Sequence, residues 1–177
     1  MAIKEIVWFN KINAVEGIEG IEEGSYVAGA RHYLPNVASP LELSGAQEVN
    51  IKAGETSRID LILNSGKVEG TVSGLQNGQQ AFVALLDGSV DVSSLTSQAI
   101  QSMEEQVLAV MPVPQNGPFT FENVPEGNYV LGAAAVPAGA TPSSIAPAAP
   151  AIAAGKFAAV EIQVVAGETV TVDLALP

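Results

Sequence analysis

The sequence predicts an all-β protein made of two β-sandwich modules that repeat one another. Short runs of alternating apolar and polar residues recur along the chain, and this period is typical of strands with one buried face. Gly, Pro, Asn and Ser cluster between the runs, where they favour tight turns. Hydrophobic residues make up 47% of the 177 residues, which is enough apolar material for packed cores.

The most regular stretch is residues 116–131, with the sequence NGPFTFENVPEGNYVL. Phe119 and Phe121 alternate with polar residues, as in a half-buried strand. Residues 125–128 are turn formers, and Tyr129 then opens a second alternating run. The stretch therefore predicts a strand, a tight corner and a second strand.

Two anchors define an internal repeat. The segment EGSYVAGA at 23–30 matches EGNYVLGA at 126–133, 103 residues later. The turn AGET at 53–56 recurs at 166–169, 113 residues later. Because turn residues and strand phase agree at both anchors, the sequence predicts two copies of one β module.

The two predicted modules, residues 1–65 and 66–177, are unequal. At a spacing of 103 residues Met1 corresponds to Glu104, so residues 67–103 have no counterpart in the first module. We therefore expect the first module to be an incomplete sandwich that lacks its opening strands. A sheet without those strands would expose backbone N–H and C=O groups and an apolar face, and something else would have to complete it.

The period of the apolar residues also places individual elements. The predicted strands of the first module are 5–10, 40–43, 47–51 and 58–63, and those of the second, besides 116–131, are 67–73, 81–86, 106–111, 157–165 and 170–176. In residues 58–63, Ile59, Leu61 and Leu63 share one face. Pro112 is expected to end the strand at 106–111.

Two stretches of the second module are predicted to be something other than strands. Residues 94–104 have apolar residues at helical spacing, with Ser93 or Ser94 as the N-cap, and predict one short inserted helix. Residues 136–156 are rich in Ala, Pro and Ser and predict a long surface loop, because these side chains are too small to build a core.

Composition excludes several classes of function. The net charge is −12 with only 7 Lys and Arg residues, which argues against binding nucleic acid or anionic membranes. There is no cysteine, so disulfides, thiol catalysis and Cys-ligated metals are excluded. No apolar run is long enough for a membrane span, and the run at 6–9 is too short for a signal peptide.

No group of residues in the sequence has the pattern of a catalytic, cofactor or metal site. His32 is the only histidine, and no G-x-S-x-G elbow accompanies it. Asp87 and Asp91 lack the third closely spaced acidic residue of a calcium loop. Glu104 and Glu105 are interpreted as the solvated end of the predicted helix rather than an acid pair. We therefore expect no catalytic, cofactor-binding or metal-binding residues.

Three aromatic residues have alternative interpretations. Trp8, the only tryptophan, is either a core or interface anchor or a platform for a sugar ring, and its apolar neighbours favour the anchor. Tyr26 and Tyr129 occupy equivalent positions in the two copies. This equivalence indicates a structural role, with each phenol capping its corner.

The second module resembles a known family. Its strand order and the motif F-x-F-x-x-V-x-x-G-x-Y at residues 119–129 are similar to the carboxypeptidase regulatory-like domains, which are transthyretin-like (prealbumin-like, Ig-like) β-sandwiches. The resemblance covers residues 66–177 fully and 5–64 in part, and the helix at 94–104 would be an insertion. It implies a non-catalytic module of an extracellular or cell-surface protein.

A related group of surface domains forms Lys–Asn/Asp isopeptide bonds, promoted by a buried Glu shortly after the motif tyrosine. Lys67 on the first strand and Asp173 on the last are candidate partners for such a bond. However, Gly132 and Ala133 stand where that Glu is expected. The sequence therefore favours two solvated charges.

Two functional hypotheses follow. The first is a non-enzymatic, self-assembling subunit of a fibre or surface layer, a homo-oligomer or polymer in which a strand from a neighbouring chain completes the first module. The alternative is a binding module for polysaccharide or protein, cut from a larger exported protein. An enzyme is not expected.

Overall fold

The computed structural model describes residues 6–9, 19–32, 41–42, 47–61, 64–91, 106–141 and 146–177, and the statements below concern these residues. Their strands are β1 (Ile6–Phe9), β2 (Gly24–His32), β3 (Leu41–Glu42), β4 (Gln47–Ile51), β5 (Ser65–Ser73), β6 (Gln79–Asp87), β7 (Val107–Pro114), β8 (Gly117–Pro125), β9 (Gly127–Pro137), β10 (Phe157–Val164) and β11 (Thr169–Ala175). One short helix, α1 (Ala149–Ala153), follows a 3-10 turn at Ala146–Ala148. The all-β prediction is confirmed.

Strands β5 to β11 form two facing sheets. The four-stranded sheet has the order β10-β9-β6-β7, and its neighbours are antiparallel. The three-stranded sheet has the order β11-β5-β8, with β5 parallel to β11 and antiparallel to β8. The apolar core lies between the sheets and includes Val68, Val72, Val83, Leu85, Phe119, Phe121, Leu131 and Val164. Alternation along the strands, as predicted, sends one set of side chains into this core.

A second apolar cluster covers the outer face of the four-stranded sheet. Helix α1 lies against β9, and Ala148 and Ala151 are buried in a cluster with Phe82 and Val130. The prediction of a surface loop over 136–156 is therefore wrong at 136–137, where β9 continues, and at 146–153, which is helical, while 138–141 and 154–156 are in no strand or helix. Alanine side chains are small, but they let the backbone of α1 come close to the sheet and exclude water from it.

Strand β7 extends beyond the predicted end at Met111. It continues to Pro114 and pairs with β6, with Pro112 opposite Phe82. β7 lies at the edge of its sheet, so the missing N–H of a proline on the outward side breaks no hydrogen bond of the ladder. The helix predicted at 94–104 lies outside the described residues.

The first repeat forms a smaller sheet around β2. β2 pairs with β1 in parallel and with β3 and β4 in antiparallel fashion. The predicted strands at 5–10, 40–43 and 47–51 correspond to β1, β3 and β4. The strand predicted at 58–63 is wrong over 58–61, where the chain is in no strand, and residues 62–63 lie outside the described part.

The structure places the two repeats in the same pairing register. Gly24 pairs with Ile51 in the first repeat, and Gly127 pairs with Val164 in the second. These pairs differ by 103 residues on one strand and 113 on the other, which are the two spacings of the sequence anchors. The β2–β4 pair and the β9–β10 pair are therefore the same structural unit.

Strand β5 contacts its neighbours too closely for a side chain at its centre. A Cβ atom built on Gly70 would collide with the carbonyl oxygen of Val172 and lie 3.0 Å from the ring of Phe119. Gly132, in the middle of β9, has room for a Cβ, whose nearest neighbour would be the carbonyl oxygen of Ala158 at 3.8 Å.

These two glycines give a matched test of the β5 packing. We expect Gly70→Ala to lower the free energy of unfolding by at least about 2 kcal/mol, because the extra methyl pushes β5 away from β11. Gly132→Ala is expected to be neutral or slightly stabilising, because alanine loses less backbone entropy on folding. Urea denaturation followed by circular dichroism measures both. Equal effects of the two substitutions would contradict the packing of β5.

Candidate functional site

The described residues that were considered for chemistry are held in local, structural interactions. Asp87 accepts a hydrogen bond from the backbone N–H of Ser89 at 2.9 Å, and bonds from the side chain and backbone of Ser89 lower the pKa of its carboxyl group. Asp87 is therefore a turn-forming residue. Within the described ranges no three acidic or histidine residues cluster as metal ligands would, and no helix is long and apolar enough to cross a membrane.

Other candidates lie wholly or partly outside the described residues. Trp8 is in β1 opposite Gly29, and His32 ends β2 opposite Leu41. The side chains of Trp8 and His32 are outside the described part, and so are Glu104 and Glu105. The sugar-platform interpretation of Trp8 stays a prediction.

Lys67 and Asp173 are not placed for an isopeptide bond. The β5–β11 register sets Asp173 beside Thr71, four residues from Lys67, which is about 13 Å along a strand. Lys67 Nζ lies 2.6 Å from Glu69 Oε2, and this hydrogen bond and charge raise the pKa of Lys67. Asp173 Oδ1 accepts a hydrogen bond from the Thr71 hydroxyl at 2.6 Å. The preference for two separate surface charges is confirmed.

The two tyrosines cap equivalent corners, as the repeat predicts. The Tyr26 hydroxyl donates to the carbonyl oxygen of Glu22 at 2.9 Å, and the Tyr129 hydroxyl donates to that of Pro125 at 2.8 Å. Burial, and next the charge of Asp87, raise the pKa of Tyr129. The Tyr129 phenol therefore stays neutral at pH 7. Each tyrosine hydroxyl fixes the chain as it enters the following strand.

Backbone angles repeat as well. Gly20 and Asn123, 103 residues apart, both have left-handed φ values, of 76° and 55°. Gly54 and Gly167, 113 residues apart, have φ values of 74° and 78°. The loops and corners of the two repeats therefore have the same local geometry, and a difference between the repeats must come from another part of the sandwich.

The main difference is the sheet built around β5. In the second repeat β8 and β11 pair with β5, one on each side. The counterparts of these two strands are residues 14–22 and 56–62, and where the structure describes them, at 19–22 and 56–61, they are in no strand. Among the described residues of the first repeat, no strand is equivalent to β5. Without a central strand, the two flanking segments have no ladder to join.

Side-chain burial shows the same difference. Four apolar residues of the first repeat are partly exposed, although each counterpart in the second repeat is buried. The first-repeat residues are Ile21, Val49, Ile51 and Leu61. Their counterparts Val124, Ile162, Val164 and Leu174 are 0%, 8%, 0% and 4% exposed. The residues that correspond to the core between the two sheets of the second repeat are therefore partly open to water in the first.

We call this region the acceptor site and define it by the segments at 19–22 and 56–61, which correspond to parts of β8 and β11, together with the partly exposed residues Ile21, Val49, Ile51 and Leu61. It combines two segments that are in no strand with a partly exposed apolar floor, and these features suit the addition of a β-strand. Sequence reasoning predicted that strands are missing but did not single out the lining residues. The repeat spacing could have identified these lining residues, because it aligns each of them with a core residue of the second repeat.

The first repeat also differs in its other sheet. Residues 6–9 of β1 correspond to residues 109–112 of β7 at the 103-residue spacing. In the second repeat β6 lies between β7 and β9 and is antiparallel to both, so β7 runs parallel to β9. In the first repeat β1 pairs directly and in parallel with β2. In the first repeat β1 is therefore the direct neighbour of β2, without the strand that separates their counterparts in the second repeat.

Comparison with known proteins gives no relative on which to model a function. The chain matches no protein-family model, no curated protein and no solved structure.

The exposed floor of the acceptor site gives a second matched test. Leu174→Ala is expected to lower the free energy of unfolding by about 2–4 kcal/mol, because it leaves a cavity in a packed core. Leu61→Ala, at the equivalent position, is expected to cost less than about 1.5 kcal/mol, because the leucine is already partly in water. Urea titrations of both variants at low protein concentration check this. A cost at Leu61 as large as at Leu174 would mean that the acceptor site is closed.

Proposed function

We propose that the protein is a non-enzymatic structural subunit of an extracellular, self-assembling fibre or surface layer. A strand from a neighbouring chain completes its first repeat at the acceptor site. The observation that carries the proposal is the contrast between the repeats, which share registers and corners but differ in the presence of the β5 sheet.

Strand addition suits this site on energetic grounds. An added strand would give main-chain hydrogen bonds to both flanking segments, and its alternate side chains would cover the apolar floor. Burying apolar surface contributes about 25 cal/mol per Å². Covering the four partly exposed side chains with apolar side chains of the donor therefore contributes favourably to the free energy of strand addition. This makes the acceptor site a better candidate for the chain's function than any polar cluster in the described residues.

The contact would be heterologous, because an acceptor site on one chain receives a different segment of the next chain. Contacts of this kind generate open fibres when the rotation between subunits does not close a ring. The extracellular setting rests on the resemblance to carboxypeptidase regulatory-like, transthyretin-like sandwiches. The arrangement of residues 65–177 as a three-stranded sheet facing a four-stranded sheet supports that resemblance.

The mass of the protein in solution tests the proposal. Light scattering over rising concentration, with electron microscopy of the same samples, is expected to show oligomers or filaments well above the 18.1 kDa of one chain. Leu61→Asp is expected to suppress them, because it places a charge on the apolar floor. Val160→Asp, on an exposed apolar residue of β10 outside the acceptor site, is the matched control and is expected to assemble normally.

A monomer at every concentration would overturn the self-assembly proposal. The binding-module alternative would then move ahead, with Trp8→Ala as the variant to compare in polysaccharide binding.

A further inference from the structure

Among the described residues of the first repeat, two consecutive strands of the second repeat, one from each sheet, have no counterpart. In the second repeat β5 lies in the three-stranded sheet and β6 in the four-stranded sheet, and only the turn at 74–78 separates them. The acceptor site corresponds to the position of β5, which no described residue of the first repeat occupies as a strand. The direct contact between β1 and β2 marks the vacant position of β6, because β6 separates the equivalent strands in the second repeat.

We propose that the partner of the acceptor site is a strand–turn–strand segment of a neighbouring polypeptide, similar in chemistry to Ser65–Asp87. Its first strand enters between residues 19–22 and 56–61, and its second strand enters between β1 and β2 and separates them. The inference rests on the proposed function and specifies the donor. It predicts that completion of the first repeat adds two strands, one to each sheet, rather than a single strand.

The chain's own β5 cannot fill the acceptor site of the same molecule. β5 would have to lie parallel to the segment at 56–61, as it lies parallel to β11. A parallel pair needs a crossover of about a dozen residues or more, and β5 begins at Ser65, only a few residues after that segment. The β5 strand of the same molecule is therefore excluded as the donor, and the proposal assigns this role to a neighbouring polypeptide.

The second repeat specifies the first strand of the donor. Val68 and Val72 of β5 are buried, so apolar residues are needed at these two alternate positions. Between them the donor needs a glycine, because Gly70 faces the backbone of Val172, whose counterpart in the first repeat is Ile59.

Charge adds a further requirement at the start of that strand. Lys67 lies on β5 between the register pairs Gly66–Val124 and Val68–Phe121, which places it beside Glu122 of β8. The counterpart of Glu122 is the exposed Glu19, so a basic residue at this position of the donor would face an acidic residue of the acceptor. The pattern for the first strand is therefore basic, apolar, polar, glycine, polar, apolar.

The second strand of the donor is specified by β6. Its centre is buried on both faces, with Val83 and Leu85 in the core between the sheets and Phe82 and Leu86 in the outer cluster. The donor's second strand is therefore apolar on both faces. A solvent-exposed edge strand would alternate instead.

A disulfide lock between β1 and β2 tests the two-strand insertion. Val7 and Ala28 are register partners, so their Cα atoms lie about 4.8 Å apart, and an inserted strand would increase this to about 9.6 Å. A disulfide cannot span more than about 7 Å between Cα atoms. The chain has no cysteine, so Val7→Cys with Ala28→Cys introduces the only thiols.

The probe is a labelled synthetic polypeptide of residues 65–87, and binding is followed by fluorescence anisotropy. We expect the reduced double variant to bind the probe, and the oxidised variant to bind it at least tenfold more weakly. The same probe carrying Gly70→Val is expected not to bind. Single-cysteine variants control for the substitutions, and the neighbouring pair Ile6→Cys with Val27→Cys repeats the test at a second position.

The outcomes separate this inference from the proposed function. Equal binding to the reduced and oxidised forms would overturn the two-strand insertion but leave single-strand completion intact, and a shorter probe of residues 65–73 would then bind equally well. Failure of the double variant to form the disulfide would also overturn the inference, because β1 and β2 would not be neighbours. Loss of binding in both forms would overturn it as well, whereas self-assembly is judged separately by the mass of the unmodified chain.

Discussion

The fold depends on hydrogen-bond partners for the backbone N–H and C=O groups on both sides of a central strand. In the second repeat β5 provides these partners to both β8 and β11, through one antiparallel and one parallel ladder. Each flanking strand exists as a strand because β5 lies between them. The core follows from the same fact, since Val68 and Val72 come from β5 and close the space between the two sheets.

The two repeats show that local sequence does not by itself fix a strand. Residues 58–61 carry the same alternation as their counterparts in β11, and both follow an AGET turn with a left-handed glycine. One segment is a strand and the other is not, because only one has β5 beside it. The β2–β4 pair keeps the register of β9–β10, since that pair needs no strand from the missing part.

The same reasoning explains which predictions succeeded. The repeat, its turns and the capping tyrosines depend on residues close in sequence, and the residue types alone favoured them. The strand at 58–63, the Ala-rich segment around α1 and the prolines within β7 depend on distant neighbours. An alanine segment becomes core only where a sheet lies beneath it, and proline is tolerated only where a strand is at an edge. The sequence predicted that strands are missing from the first repeat. The residues that line the acceptor site could be identified only from the burial of their counterparts in the second repeat.

In the proposed role, the chain binds its partner through the acceptor site of the fold rather than through reactive side chains. The proposed acceptor site would act as a template that only an extended segment fits. The net charge of −12 opposes non-specific association between chains, so a pairing partner has to offer ladder hydrogen bonds and apolar side chains in register. A structural subunit needs this selectivity to join its neighbours at one site.

Hydrogen exchange followed by mass spectrometry tests the central claim most directly, because it reports the backbone groups that β5 satisfies in one repeat only. The account predicts that the amides of residues 56–61 exchange orders of magnitude faster than those of Thr169–Ala175 in the free chain, and that they become protected when the acceptor site is filled. Equally slow exchange of the two segments in the free chain would contradict the account, since it would mean that the first repeat already holds a complete sheet.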